Sequence, residues 1–199
     1  MKKILMIESS PRKEASFSRK LTQAIGDKLK EKYPGASINI RDLASHPSPH
    51  LEESHLAAYF APPEKQSAAD LLAIQHSQEL ITEILEADVI IIGTPVYNFS
   101  IPSVLKAWFD HLARAGKTFK YTANGPEGLV KGKKIYLAIA SGAIFSEGEM
   151  KSYDFVEPYL RVVLGFLGMT DVTTIRVEGV AIPGLKETAL ERAVASIAI

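Results

Sequence analysis

Three serines, Ser10, Ser16 and Ser18, stand in or just beyond a polar, proline-broken segment, Ser9-Ser10-Pro11-Arg12-Lys13-Glu14-Ala15-Ser16, that opens onto an amphipathic stretch. Hydroxyls at such a place add to the free N–H groups and the positive dipole end of a helix N-terminus, which together suit a phosphate. Taken alone, Ser16 reads equally well as a helix N-cap, with the other two serines solvated. Neither Gly-x-Gly-x-x-Gly nor a Walker lysine motif occurs, so a monophosphate fits better than a dinucleotide or triphosphate held in those ways.

A second stretch, Gly93-Thr94-Pro95-Val96-Tyr97-Asn98-Phe99-Ser100, offers what a flat heteroaromatic ring needs. Tyr97 and Phe99 supply packing, Asn98 a donor and an acceptor, and Pro95 a rigid backbone. By itself, such a loop is more often core or interface. A third stretch, Ser141-Gly142-Ala143-Ile144-Phe145-Ser146-Glu147-Gly148, adds small residues whose N–H groups can approach the polar end of the same ring.

The elements around these stretches alternate. Lys2–Glu8 reads as a first strand, and a helix with Phe17, Leu21, Ala24, Ile25 and Leu29 on one stripe follows, capped by Ser16 and stopped at Tyr33-Pro34-Gly35. Residues 36–41 make a second strand, shorter and nearer the sheet edge. A helix carrying Leu71, Ile74, Leu80, Ile81, Ile84 and Leu85 leads to the continuous apolar strand at 88–93. Ser100 is the expected cap of a third helix, with Pro102 in its first turn and a broad apolar arc of Ile101, Val104, Leu105, Trp108, Phe109 and Leu112. That arc suits packing against the sheet plus a second subunit, or complete burial in one core.

Residues 118–122 alternate and meet Asn124-Gly125, a hairpin-like excursion in which Phe119 and Tyr121 share one face. A fourth strand follows at 135–140 and a fifth at 171–177. Between them, Asp154 and Glu157 have capping-box spacing ahead of a helix, and residues 185–197 close the chain as another helix. Five strands alternating with helices define an α/β doubly wound parallel sheet, order 2-1-3-4-5, helices on both faces, in a single domain over residues 1–199. In that order the crevice opens beyond strands one and three, where the serine segment and Pro95–Phe99 meet. A phosphate cup beside an aromatic amide loop points to FMN.

Bulk properties narrow the alternatives. Lys plus Arg and Asp plus Glu are both 23, giving zero formal charge and no basic footprint for nucleic acid. There is no cysteine, which excludes disulfides, thiolate nucleophiles and Cys-ligated zinc. The apolar run after the N-terminal lysines is too short for a signal peptide, and no stretch approaches the roughly 20 residues of a membrane span. A cytoplasmic protein is expected. His46, His50 and His55 are close in sequence, but Pro47 and Pro49 break any shared helical face, so a solvated loop is expected and no metal site is assigned. His76 and His111, on helices, are expected at the surface or an interface.

The sequence resembles the FMN-dependent NADH-azoreductase family of flavodoxin-like NAD(P)H:quinone oxidoreductases across nearly its whole length. The matching segments are Ser9-Ser10 with Ser16-Phe17-Ser18, residues 95–99, residues 117–122 with Asn124-Gly125-Pro126-Glu127-Gly128-Leu129, and Leu164-Gly165-Phe166-Leu167-Gly168. The resemblance implies that Ser10, Ser16, Phe17 and Ser18 hold the FMN phosphate. It also implies that Pro95, Val96, Tyr97, Asn98 and Phe99 contact the isoalloxazine, with Ser141, Gly142 and Ala143 at its polar edge. The last segment departs from the usual Ser-Arg-Gly-Gly, reading Ser141-Gly142-Ala143-Ile144. Family likeness further implies a homodimer with FMN at the interface.

The reaction so implied is a ping-pong, two-electron hydride transfer from NADH or NADPH through FMN to quinones or aromatic azo compounds, with reductive cleavage of the azo bond. The flavin carries the chemistry, so no catalytic acid or base is assigned, and Tyr121 and Phe166 are candidate substrate-pocket walls. Two other classes stand beside it. An acyl carrier protein phosphodiesterase-type hydrolase would need a nucleophile elbow or metal cluster that the sequence lacks. A non-catalytic flavin electron carrier would ordinarily be strongly acidic.

Overall fold

The run Val89–Pro95 forms a central strand buried at every residue, as its β-branched composition requires of a strand covered on both faces. The computed structural model describes residues 1–199. In chain order the strands are β1 (Lys3–Glu8), β2 (Ser37–Asp42), β3 (Val89–Pro95), β4 (Phe119–Thr122), β5 (Gly125–Gly128), β6 (Lys134–Ala140) and β7 (Asp171–Val177). The helices are α1 (Phe17–Lys32), α2 (Glu53–Phe60), α3 (Ala68–Glu86), α4 (Ser103–Leu112), α5 (Val156–Leu167) and α6 (Lys186–Ala195). Five parallel strands pair in the order β2-β1-β3-β6-β7, and β4 and β5 form a separate antiparallel hairpin. Without the hairpin strands, this is the expected 2-1-3-4-5. The fold is flavodoxin-like.

Alternation along the strands divides the core. Leu5, Ile7, Ile90, Ile92, Ile135 and Leu137 face α3, α4 and α5, whereas Ile4, Met6, Val89, Ile91, Tyr136 and Ala138 face α1 and α6. The period-two geometry of a strand makes each run apolar throughout, since both faces are dry.

Several local expectations are corrected. Ser100 does not cap α4: it exchanges backbone hydrogen bonds with Tyr97, and Pro102 occupies the N-cap position. Strand β2 is as long as β1, six residues each, although it does lie at the edge. Of the broad arc of α4, Leu105, Trp108, Phe109 and Leu112 are covered within one chain, with Trp108 and Phe109 at 0% and 1% exposure, while Ile101 and Val104 stay only partly buried. On α3, by contrast, Leu71 and Leu85 stay exposed at 54% and 47%. Helix α6 ends at Ala195, and Ile197 is buried just beyond it.

The proline-rich excursion after β2 contains α2 and comes back against α4 through histidines. His111 is fully buried within the chain, contrary to the surface or interface position expected of it. Its ring meets those of His55 and His76 edge-on, with centroids 5.0 and 5.3 Å away. A carbonyl can only accept, so His111 Nε2 donates to the Pro49 carbonyl at 2.9 Å while Nδ1 takes the Tyr59 hydroxyl at 2.6 Å. Both contacts suit a neutral imidazole. Burial pushes the His111 and His76 pKa values below the ordinary histidine range and outweighs the opposing Pro49 hydrogen bond and Asp110 at His111, and Glu79 and Glu83 at His76.

Candidate flavin-binding site

Strand β1 ends beneath a turn that is tied to β3. The Ser9 N–H and hydroxyl both donate to the Gly93 carbonyl, at 3.2 and 2.8 Å. Arg19, one turn into α1, donates to the Ser10 carbonyl from Nε and Nη2 at 3.0 and 2.8 Å and pairs with Asp42 at 2.7 Å. Burial opposes ionisation of Asp42, but bonds from Arg19 and Ser45 overcome it and hold the carboxyl below its usual range. Ser10, Ser16 and Ser18 are all buried within this turn. Ser16 caps α1 by accepting the Arg19 N–H at 3.3 Å, and its hydroxyl lies 3.0 Å from that of Ser18. The N–H groups of Phe17 and Ser18, at the helix start, have no intrahelical acceptor. Cap and anion cup are therefore one structure.

Across the crevice, Pro95 is buried and the Val96 N–H donates to the Ala140 carbonyl at 2.8 Å, fixing the loop to β6. Tyr97 and Ser100 then close a tight turn whose two central residues, Asn98 and Phe99, have φ of 49° and 67°. Left-handed backbone is uncommon for asparagine and costly for phenylalanine, and such strain gathers at binding sites. It lifts Asn98 and Phe99 into solvent. The Phe99 ring is flanked by Phe145 and Tyr153, at centroid distances of 6.4 and 5.9 Å.

The third loop faces both. Carbonyls of Ser141, Gly142 and Ala143 accept N–H groups of Val180, Ala181 and Gly179, whereas the N–H groups of Gly142, Ala143 and Ile144 have no acceptor in the protein. A Cβ on Gly142 would stand 3.3 Å from the Ala181 methyl, so the small residue here serves close packing of these two segments. Glu178 accepts the N–H groups of Phe145 and Ser146 at 2.8 and 3.0 Å. Behind it, Arg176 pairs with Asp154, Glu157 and Glu178. Burial raises the Glu157 carboxyl, but bonds from Arg176, Thr174 and Arg161 prevail and hold it below its usual range.

The Asp154–Glu157 capping box is thus only half formed. Asp154 accepts the N–H groups of Val156 and Glu157, while the Glu157 side chain turns to Arg176 instead of the cap. Arg176, Glu178 and Tyr153 were not apparent in the sequence. Nothing local marks a partner of Asp154 that stands 22 positions away.

Tyr121 and Phe166 are not brought to these loops within one subunit. Tyr121 stacks edge-on to Phe119, which packs on Phe166 at 4.5 Å, and the hairpin docks where Gly128 meets Gly168. That is the far end of α5, next to the first residues of β7 and β6, which pair as Asp171 and Lys134. A 12-residue helix is about 18 Å long, so Tyr121 and Phe166 lie at the opposite end of the sheet. A cavity of about 1220 Å³ between α3 and residues 114–117 is lined by none of the three loops.

The serine cup, three free N–H groups and a protruding amide with flanking aromatics fit the phosphate, polar edge and ring of FMN. A family described as having the flavodoxin-like fold matches residues 2–198, and the chain belongs to that family. Within it, the chain is 51% identical over 181 residues to the FMN-dependent NADH:quinone oxidoreductase of Herminiimonas arsenicoxydans, covering 91% of this chain and 89% of that protein. It is 46% identical over 199 residues to FMN-dependent NADH:quinone oxidoreductase 2 of Pseudomonas fluorescens Pf-5, covering 100% and 98%. Among solved structures, the azoreductase from Bacillus anthracis Sterne superposes with a TM-score of 0.87 at 31% identity over 98% of each chain. An FMN-dependent NADH-azoreductase from Bacillus anthracis Ames Ancestor, solved in complex with FMN, gives 0.86 at 25% identity, covering 98% of this chain and 95% of that one.

Proposed function

We propose that this chain is a single-domain FMN-dependent NADH:quinone oxidoreductase that also reduces aromatic azo compounds. The observation that carries it is the placing of the buried serine cup and the strained Asn98–Phe99 turn on adjacent strands, β1 and β3. The named relatives and azoreductase structures support the same assignment. When bound, FMN would supply two-electron hydride exchange with nicotinamide and with the acceptor. The residues do the rest. Ser10, Ser16, Phe17 and Ser18 hold the phosphate. Pro95, Val96, Tyr97 and Phe99 bracket the ring, and the Asn98 amide meets its polar edge. The free N–H groups beyond Ser141, on Gly142, Ala143 and Ile144, stabilise negative charge there.

Tyr121 and Phe166 reach such a pocket only from a second copy of the chain, so the working form is taken to be a homodimer with FMN at the interface. No helix is long and apolar enough to cross a membrane, and a cytoplasmic location is proposed. The phosphodiesterase alternative lacks support at the cup, where the serine hydroxyls bond to one another or to backbone and no histidine reaches them.

Purified protein saturated with FMN should oxidise NADH rapidly when a quinone is present, with parallel double-reciprocal lines as donor and acceptor take turns in one pocket. Absence of oxidation with both NADH and NADPH would reject the assignment. Light scattering gives the subunit count.

A further inference from the structure

Glu8 closes β1 immediately before the Ser9–Ser10 turn and is 4% exposed. Its Oε1 touches the Thr22 hydroxyl, and that same hydroxyl lies 2.8 Å from the Arg19 carbonyl. One hydroxyl hydrogen cannot serve two acceptors. With the Thr22 hydrogen given to the carbonyl, the hydrogen of the Glu8–Thr22 contact belongs to Glu8. The other carboxyl oxygen, Oε2, has no partner at all, which a buried carboxylate would tolerate poorly.

The surroundings are built to admit this group. Gly93 stands opposite Glu8 in the β1–β3 register. A Cβ there would lie 2.6 Å from Thr22 Cγ2 and 2.9 Å from Glu8 Oε2. The charged groups that face Glu8 are Arg19 from α1 and Asp42 from the end of β2. Arg19 is already engaged by Asp42 and the Ser10 carbonyl, and β3 presents only Gly93. Ser18 and Thr22, four residues apart, share one face of α1. The carboxyl therefore sits about one helical turn beneath the serine cup.

We propose that Glu8 is held as a neutral carboxylic acid under the phosphate cup, and that its ionisation as the pH rises weakens the grip of the cup on a phosphomonoester. This rests on the assignment of the cup to the FMN phosphate. Burial raises the Glu8 pKa, with a smaller push from Asp42 against the pull of Arg19, and a Thr22 hydroxyl that accepts from the acid favours the neutral form as well. Once ionised, Glu8 sets an unscreened negative charge against the phosphate and cancels part of the dipole of α1.

The test is FMN affinity by quenching of flavin fluorescence from about pH 5 to 9 in the unaltered protein and in Glu8→Gln, a comparison that cancels the phosphate's own ionisation at about pH 6, with riboflavin as the ligand that lacks the phosphate. Across that range Kd for FMN in the unaltered protein is expected to rise about tenfold relative to Glu8→Gln, whereas riboflavin binding stays level in both. The same FMN profile in both proteins would overturn the role of Glu8. If neither flavin binds near neutral pH, the cofactor assignment itself fails. Because Glu8→Gln could impair folding, carboxyl-labelled glutamate NMR of the unaltered apo-protein gives an independent check. One glutamate carboxyl should titrate above the ordinary carboxylate range, and titration of every glutamate within that range, about pH 4.3, would overturn the proposal.

Discussion

Glu178 holds the backbone of Phe145: its carboxylate accepts the Phe145 N–H at 2.8 Å, so the residue just past β7 sets the course of the loop after β6. The consequence is that the free N–H groups of residues 142–144 owe their direction to an ion-pair network that lies outside the pocket. Removing Glu178 leaves Arg176 facing Asp154 and Glu157 but releases the loop. Glu178→Ala is expected to weaken FMN binding about tenfold, in line with the loss of charge-assisted bonds. Fluorescence titration measures this, and hydrogen exchange should quicken at residues 142–146 while β6 stays protected.

Asn98 contributes both a backbone conformation and an amide, and two substitutions separate them. Asn98→Leu places a branched side chain at φ 49°, costing about 1–2 kcal/mol of strain, and removes the amide. Asn98→Gly relieves the strain and removes only the amide. Both should retain FMN less well than the unaltered protein, with Leu the worse. Equal FMN affinity in all three would remove Asn98 from the site.

The hairpin leaves no room at Gly128. A Cβ there would lie 2.1 Å from the Gly168 nitrogen, a backbone atom that cannot step aside. Gly128→Ala should cost about 1–3 kcal/mol or more, as overpacking does, read as a lowered midpoint in thermal or urea unfolding. The displaced hairpin should also alter quinone turnover, because it carries Tyr121.

The histidine cluster makes stability fall with acid. The pKa values of His111 and His76 are depressed in the fold, so the unfolded chain binds protons at a higher pH than the folded one does. Stability should therefore decline as pH drops through about 6.5, the unfolded value. Glu8 acts in the opposite sense, since its raised pKa disfavours the fold as pH climbs above the carboxylate range. The depressed carboxylates Asp42 and Glu157 matter only in stronger acid. Urea midpoints at about pH 7.5 and 5.5, bracketing that value, isolate the histidines when the unaltered protein is compared with His76→Gln/His111→Gln. The double variant should lose less on acidification, and an equal loss in both would reject the cluster as its source.

Much of this architecture was legible along the chain. The apolar run at 88–93 implied a strand dry on both faces, and Ser16 announced the start of α1, because periodicity and capping are local properties. The 2-1-3-4-5 order followed from alternation and crossover rules, which left few other topologies. What misled was equally local. Ser100 has the chemistry of a cap yet closes a turn with Tyr97. Glu157 has the spacing of a capping box yet serves Arg176.

By itself, the sequence determined the strand order and the two loops that converge on a flavin-sized crevice, since these depend on pattern, turn chemistry and resemblance. Only the tertiary structure decided which charges meet. It set Arg176 against Asp154, Glu8 under Thr22, and His111 among His55 and His76. It also carried Tyr121 and Phe166 to the far end of the sheet from Asn98. The physical reason is that a side chain's partner is chosen by packing between distant elements, and a buried charge or imidazole takes its state from whatever that packing sets beside it.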